Sequence, residues 1–268
     1  MSIFSELNEL MVKYRFRPER KLSQNFLVNE KMLERIVQTA HLEKNDVVLE
    51  IGAGTGFLSR ELSKHCKKVA GIEKDAHLAK LLREERKEKN FELIEGDALE
   101  VPWPSFSKLV CLPPYSISSD LVYKLLDHAF EEAFFVFQKE FAERLIAEPG
   151  FLDYNALSVL VQYHTEPSIQ FLISNDCFFP RPPSKSALVK LKKTKRFGKA
   201  KNDTAFEQFV KQLFRHKNKN MSNSLNLALP FLTKELSLSF EACQQKAKHW
   251  KHWQEKVYAL HAKRFVEL

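Results

Sequence analysis

The 268-residue chain contains only seven glycines and four cysteines, and it has no long apolar run. Cys66, Cys111, Cys177 and Cys243 lie far apart with no CxxC pair. That pattern fits neither a zinc site nor a disulfide framework, so the cysteines read as reduced structural residues and no metal is expected. No stretch approaches the roughly 18 uncharged apolar residues of a membrane span. Met1 to Tyr14 carries Glu6 and Glu9 where a secretory leader would be apolar. The expectation is a cytoplasmic protein that does not engage a membrane.

At 44% hydrophobic residues, the chain has enough apolar material for one full α/β domain and a smaller appendage without staples. Its net charge of +8 is unevenly spread. Residues 1 to 189 hold 24 Lys/Arg against 28 Asp/Glu, a net of −4, whereas residues 190 to 268 hold 18 against 6, a net of +12. Clustered cations of this kind suit a polyanionic partner, because Lys and Arg release counterions from phosphates, although a solvated basic surface has the same composition.

Ile3, Leu7, Leu10, Met11 and Tyr14 recur at helical spacing, as do Leu33, Ile36, Val37 and Ala40. Short apolar runs then alternate with helical ones at Val47–Ile51, Lys68–Ile72, Phe91–Ile94, Lys108–Leu112 and Phe134–Phe137, which predicts a mostly parallel sheet. Beyond Pro149-Gly150 come two further strands, Ser168–Ser174 and Ala187–Leu191, joined by a loop through Phe178-Phe179-Pro180-Arg181-Pro182-Pro183. So short a connection predicts that they pair antiparallel. Lys190 to Lys201 holds seven basic residues and no acid, and reads as a charged hinge. The predicted boundary divides residues 1–197 from a small basic helical domain over 198–268. Two stripes, Phe206-Phe209-Val210-Leu213-Phe214 and Trp250-Trp253-Val257-Leu260, predict helices there.

Three of the seven glycines fall within five residues, at Gly52, Gly54 and Gly56 in Glu50-Ile51-Gly52-Ala53-Gly54-Thr55-Gly56. Glycine allows positive φ in a strand-to-helix turn and lets backbone approach a ligand without an intervening Cβ. The spacing is GxGxG, not the GxGxxG of dinucleotide folds. Glu73 ends the next strand, where a carboxylate can bind both ribose hydroxyls; the neighbouring Asp75 reads as a solvent-exposed strand-end acid. Asp97, after Glu95-Gly96, is placed to accept from an exocyclic amine such as that of adenine. Polar groups at the carboxyl ends of successive strands predict one nucleoside-binding crevice.

The fourth strand runs into Cys111-Leu112-Pro113-Pro114-Tyr115-Ser116-Ile117-Ser118-Ser119. Here the chain resembles the KsgA-type small-subunit rRNA adenine dimethyltransferases, relatives of the Erm methyltransferases. Gln24-Asn25-Phe26-Leu27 is similar to the family's N-terminal cofactor motif, Glu50 to Gly56 to its glycine loop, and Glu73 and Asp97 to its ribose and adenine ligands. Gln138-Lys139-Glu140-Phe141-Ala142, Arg144, Pro149-Gly150, Tyr154 and Leu157-Ser158 resemble the segment after the fifth strand. Phe178-Phe179-Pro180-Arg181-Pro182 with Ser186 looks like the FxPxP loop, and Phe214-Arg215-His216-Lys217-Asn218-Lys219 is similar to the basic helix.

The resemblance implies a class I S-adenosylmethionine-dependent methyltransferase fold, Rossmann-like with a mostly parallel seven-stranded sheet, and a small C-terminal helical domain. It implies a monomer that dimethylates N6 of two adjacent adenosines near the 3′ end of small-subunit rRNA in the immature subunit, during ribosome biogenesis. S-adenosylmethionine would be held by Gln24, Asn25, Leu27, Gly52, Gly54, Gly56, Glu73, Asp97 and Leu112. Leu112, Pro113, Pro114 and Tyr115 would form the methyl-transfer turn, with Phe178 as the opposing stacking face. His216 receives no catalytic role. The family's Asn at the head of the turn falls on Leu112, which has no side-chain acceptor, and the next aliphatic residue falls on Pro113. Two alternatives therefore stand beside the enzyme: a weakly active or inactive rRNA-binding assembly factor, and Erm-like methylation of large-subunit rRNA.

Overall fold

The structure, a computed structural model, describes residues 2–19, 22–194, 202–236, 250 and 252–266. It divides into two compact units: Met1–Ala142 with Ser168–Lys192, and Glu143–Pro167 with Lys193–Leu268.

The first unit opens with α1 (Ile3–Lys13), capped by Ser2, whose side chain accepts from the Ser5 amide at 3.2 Å. Ile3, Leu7 and Leu10 form its buried stripe. Arg60 grips Glu6 with two hydrogen bonds of 2.7 and 3.0 Å, and the Tyr14 hydroxyl donates to Glu85 at 2.7 Å. The two-residue strand β1 (Phe26–Leu27) precedes α2 (Glu30–Thr39), followed by β2 (Val47–Ile51), α3 (Phe57–Ser63), β3 (Lys68–Glu73), α4 (Ala76–Glu85), β4 (Phe91–Glu95) and β5 (Lys108–Cys111). Next come α5 (Ser118–Leu126), β6 (Glu132–Gln138) and, later in the chain, β7 (Thr165–Ile173), β8 (Phe178–Phe179) and β9 (Ser186–Lys193).

Seven strands make one sheet in the order β4-β3-β2-β5-β6-β9-β7. The pairs β3–β4, β2–β3, β2–β5 and β5–β6 are parallel, and β9 runs antiparallel to β6. Helices cover both faces of such a sheet, so its central strands are apolar throughout rather than alternating. Leu109 to Cys111 and Ala133 to Phe135 are each fully buried. The order reverses between β2 and β5, which is the switch point where the carboxyl ends of the strands open a crevice. β1 and β8 form a separate antiparallel ribbon, with Phe26 opposite Phe179 and Leu27 opposite Phe178. The Val28 amide extends it by donating to the Cys177 carbonyl at 2.8 Å.

In the second unit, α6 (Lys139–Ile146) leads in from the first, and α7 (Ala156–His164) begins at Asn155 in a capping box with Ser158. The chain continues through α8 (Asp203–Phe214) and α9 (Met221–Leu236) to a short helix at Ala262–Val266. Tyr154 is fully buried and donates to the Leu260 carbonyl at 3.0 Å. Its ring lies 5.8 Å from that of Phe214, which in turn lies 5.7 Å from Phe265.

Three expectations change. The Trp250–Leu260 stripe is not a regular helix: its described residues form turns and a 3-10 turn at Val257–Ala259. The Val257 and Tyr258 amides donate to the Lys219 and Lys217 carbonyls, so bonds that a helix would close internally go to another segment. Lys190 to Lys193 belong to β9, and Lys190 is ion-paired with Glu132 at 2.6 Å rather than in a hinge. The remainder of the expected hinge, at 195–201, lies outside the described residues, as do the boundary at 197/198 and Cys243. Residues 143–167 group with the C-terminal helices.

Candidate active site

The glycine turn leaves β2 at its carboxyl end. The Gly52 and Ala53 amides donate to the Ile72 carbonyl at 2.8 and 3.2 Å, which ties the start of the turn to β3. Gly54 adopts φ +60°, a left-handed conformation that a side chain would strain. Its amide donates to Glu73 Oε2 at 2.7 Å.

A cavity of about 280 Å³ lies above this turn. Gln24, Asn25, Leu27, Gly52, Gly54, Glu73, Asp97, Leu112, Pro113, Pro114, Tyr115 and Phe178 all line it. Gly56 is not among the lining residues. At φ +77° it caps α3, and a Cβ there would fall 2.7 Å from Arg86 Cδ and 2.8 Å from Leu82 Cδ2. Backbone conformation and packing are enough to require glycine there.

Glu73, the last residue of β3, is 7% exposed and also accepts from the Asp75 amide at 2.8 Å. Burial pushes its carboxyl above the usual range, against the pull of those two hydrogen bonds. Asp97 differs in kind. It accepts from Lys74 Nζ at 2.6 Å and from the Leu99 amide at 2.9 Å, which hold it below the usual carboxylate range and ionised. Asp75 is not the solvent-exposed acid expected of it. It is half-buried, lines the cavity, caps α4 by accepting from the His77 amide at 2.9 Å, and accepts from Gln24 Nε2 at 2.9 Å. Gln24 is thereby tied to the strand that carries Glu73.

Opposite, Leu112 packs its side chain against the hydrophobic core cluster, and Pro113 is buried. Pro114 Cδ stands 3.4 Å from where a Cβ on Gly52 would lie, so glycine at 52 lets the two turns approach. The Pro114 carbonyl accepts from the Ile117 amide at 3.2 Å, and the Tyr115 carbonyl accepts from Ser118 Oγ at 2.9 Å. Both are committed to the short turn at Tyr115–Ile117. The Tyr115 hydroxyl lies 2.6 Å from Ser186 Oγ, and burial keeps that phenol neutral by raising it above its ordinary value. Phe178 is 3% exposed and part of the core cluster, so it forms a wall of the cavity with little ring face open.

Glu50 was part of the glycine run but carried no predicted role. It is 2% exposed within β2, lines the cavity, and accepts from Ser59 Oγ at 2.5 Å. Burial pushes its carboxyl up to about 8, the nearby Glu73 adds to the rise, and the Arg86 guanidinium opposes it. An acid inside the apolar run Val47–Ile51 was the sequence signal for it. Among the described residues, no group of His, Cys, Asp and Glu is arranged to hold a metal ion, and no helix is long and apolar enough to cross a membrane.

The family model for ribosomal RNA adenine dimethylases matches residues 15–248. A protein of Thermococcus gammatolerans, described as a probable ribosomal RNA small subunit methyltransferase A, is 42% identical over 219 residues, 82% of this chain and 78% of that one. One of the same description from Methanosphaera stadtmanae is 35% identical over 263 residues, covering 96% of this chain and 94% of its own. Among solved structures, a dimethyladenosine transferase from Plasmodium falciparum superposes with a TM-score of 0.78 at 28% identity, over 89% of this chain and 94% of that one. The 23S rRNA methyltransferase ErmE does so with a TM-score of 0.65 at 26% identity, over 90% and 96%. The sheet with its reversed order is that of the class I methyltransferases, and the chain belongs to the ribosomal RNA adenine dimethylase family.

Proposed function

We propose that the protein transfers methyl groups from S-adenosylmethionine to N6 of two adjacent adenosines near the 3′ end of small-subunit rRNA, dimethylating each. It acts as a cytoplasmic monomer on the immature small subunit. The unit of residues 1–142 and 168–192 serves as the methyltransferase domain, and the basic residues of the C-terminal part track the rRNA backbone. The observation that carries this reading is the convergence of the glycine turn, Glu73, Asp97 and the Leu112–Tyr115 turn on one cavity at the switch point of the sheet.

The donor set suits the cofactor. A buried carboxylate at Glu73 accepts from ribose hydroxyls, and the ionised Asp97 accepts from the adenine amine. Gln24, Asn25, Leu27, Gly52 and Gly54 enclose the remainder. When bound, S-adenosylmethionine supplies an electrophilic methyl group on a sulfonium. The chain's own task is to present an exocyclic amine whose lone pair is delocalised into its ring. Because the Pro114 and Tyr115 carbonyls are already engaged within their turn, the Leu112 and Pro113 carbonyls accept the amine N–H groups and orient the nitrogen. Tyr115, pinned by Ser186, stacks on the base, and Phe178 completes the slot.

Leu112 favours a second reading, in which the protein binds immature subunits and methylates slowly or not at all, because one preorganised acceptor is worth about a hundredfold or more in rate. Incubation of immature small subunits and, separately, large subunits with labelled S-adenosylmethionine decides between them. Label in small-subunit rRNA supports the enzyme, and a faster Leu112→Asn variant identifies the missing acceptor. Binding without label supports the assembly factor, and label in large-subunit rRNA supports Erm-like specificity.

A further inference from the structure

The second unit carries an apolar pair that its own folding does not explain. Phe151 and Leu152 follow the Pro149-Gly150 turn between α6 and α7, and are 64% and 91% exposed. Covering such side chains is the main favourable term in folding, yet the backbone beneath them is fixed so as to hold them out. The Gly150 amide donates to the Tyr258 carbonyl at 2.8 Å, and Lys217 Nζ donates to the Leu152 carbonyl at 2.7 Å. The Tyr154 amide closes the turn onto the Phe151 carbonyl at 3.2 Å, and the buried Tyr154 side chain anchors the chain just beyond. A braced loop presenting large apolar side chains marks an interaction site rather than a frayed end.

The charges around the loop indicate what it receives. Exposed Lys219 and Lys256 lie on the neighbouring segments whose backbones bond to one another and to the loop. Exposed Glu148 and Asp153 stand at the shoulders of the loop itself and exposed Glu255 sits beside Lys256, so that a phosphate is disfavoured directly over the loop. The basic character comes from the wider C-terminal part, net +12 over residues 190 to 268. The pattern fits a polyanion whose backbone passes over the lysines while an uncharged, flat group reaches the apolar pair. An unpaired RNA base meets both requirements, since such bases are held by stacking on aromatic side chains and apolar residues wedge between them.

We propose that Phe151 and Leu152 form a wedge for RNA, with Phe151 stacking on an unpaired base and Leu152 filling the space beside it. The wedge rests on the reading of the substrate as structured rRNA, and adds a contact in the second unit that the cavity does not include.

The test uses the full chain and its Phe151→Ala/Leu152→Ala variant with two probes at about 0.1 M salt: an RNA hairpin carrying 2-aminopurine in its loop, and a fully paired RNA duplex of equal length. The wild type is expected to bind the hairpin more tightly than the duplex and to change the 2-aminopurine emission. The variant is expected to bind the hairpin about tenfold or more weakly, with no emission change. Its Tm and S-adenosylmethionine affinity should match the wild type, and Phe151→Trp should retain hairpin binding. A variant that binds the hairpin as the wild type does overturns the wedge alone, all the more so if it instead loses association with ribosomal proteins. A wild type that binds S-adenosylmethionine but neither RNA overturns the wedge together with the rRNA reading.

Discussion

Glu50 makes the stability of the protein depend on pH. Its carboxyl is 2% exposed, is held by Ser59 Oγ, and is raised by burial from an ordinary value of 4.5 to about 8. Between those two values the folded chain keeps a proton that the unfolded chain releases. Raising the pH through this window therefore favours unfolding, and the stability contributed at low pH is lost as pH rises toward 8. The slope from one such group is at most about 1.4 kcal/mol per pH unit, or about 2 kcal/mol between roughly pH 6 and 7.5. For a unit of this size that corresponds to a fall in Tm of about 4–8 °C. Glu50→Gln keeps the shape and a partner for Ser59 but carries no titratable proton. Thermal unfolding of both proteins across this range should show the wild type losing that much more stability than the variant. Parallel curves would refute the argument that Glu50 is buried as a neutral acid.

Other outcomes follow from single contacts. Because burial raises the Glu73 carboxyl, wild-type affinity for S-adenosylmethionine should weaken as pH falls and the acceptor is protonated. Glu73→Gln should bind about 10–100-fold more weakly at pH 8 with a flatter profile, and calorimetry showing unchanged affinity would remove Glu73 from the cofactor site. Gly56→Ala should lose about 2 kcal/mol or more from its left-handed backbone and the contact with Arg86, a Tm fall of about 4–8 °C. Its cofactor affinity below the transition should match the wild type; a selective loss of binding would return Gly56 to the site. Ser186→Ala removes the partner of the Tyr115 hydroxyl, worth about 1 kcal/mol. It should lower kcat about fivefold with S-adenosylmethionine affinity intact, and the reverse split would contradict a role in positioning the ring.

The central strands were legible because a strand covered on both faces is apolar at every position, as in Phe134 to Phe137. The carboxyl-end acids were legible because polar residues that end such runs have few other reasons to be there. What the sequence did not disclose depended on partners. β1 and β8 are two residues each, too short for periodicity, and exist as strands because Leu27 and Phe178 face one another. Trp250, Trp253, Val257 and Leu260 have helical spacing, but their backbone bonds to 217–219 decide the local structure. Asp75 looked exposed because nothing local reveals Gln24, some fifty residues earlier, donating to it. Gly56 was indistinguishable by residue type from Gly52 and Gly54, and only Arg86 and Leu82 behind it separate packing from ligand contact.

The chain belongs to the ribosomal RNA adenine dimethylase family, and it carries Leu112 where the family resemblance places an acceptor side chain. The most direct test is nucleoside mass spectrometry of small-subunit rRNA after incubation of immature subunits with the wild-type protein and S-adenosylmethionine. N6,N6-dimethyladenosine is expected at two adjacent positions near the 3′ end, abolished in Tyr115→Ala. Subunits that bind the protein yet contain no methylated adenosine would contradict the dimethyltransferase reading.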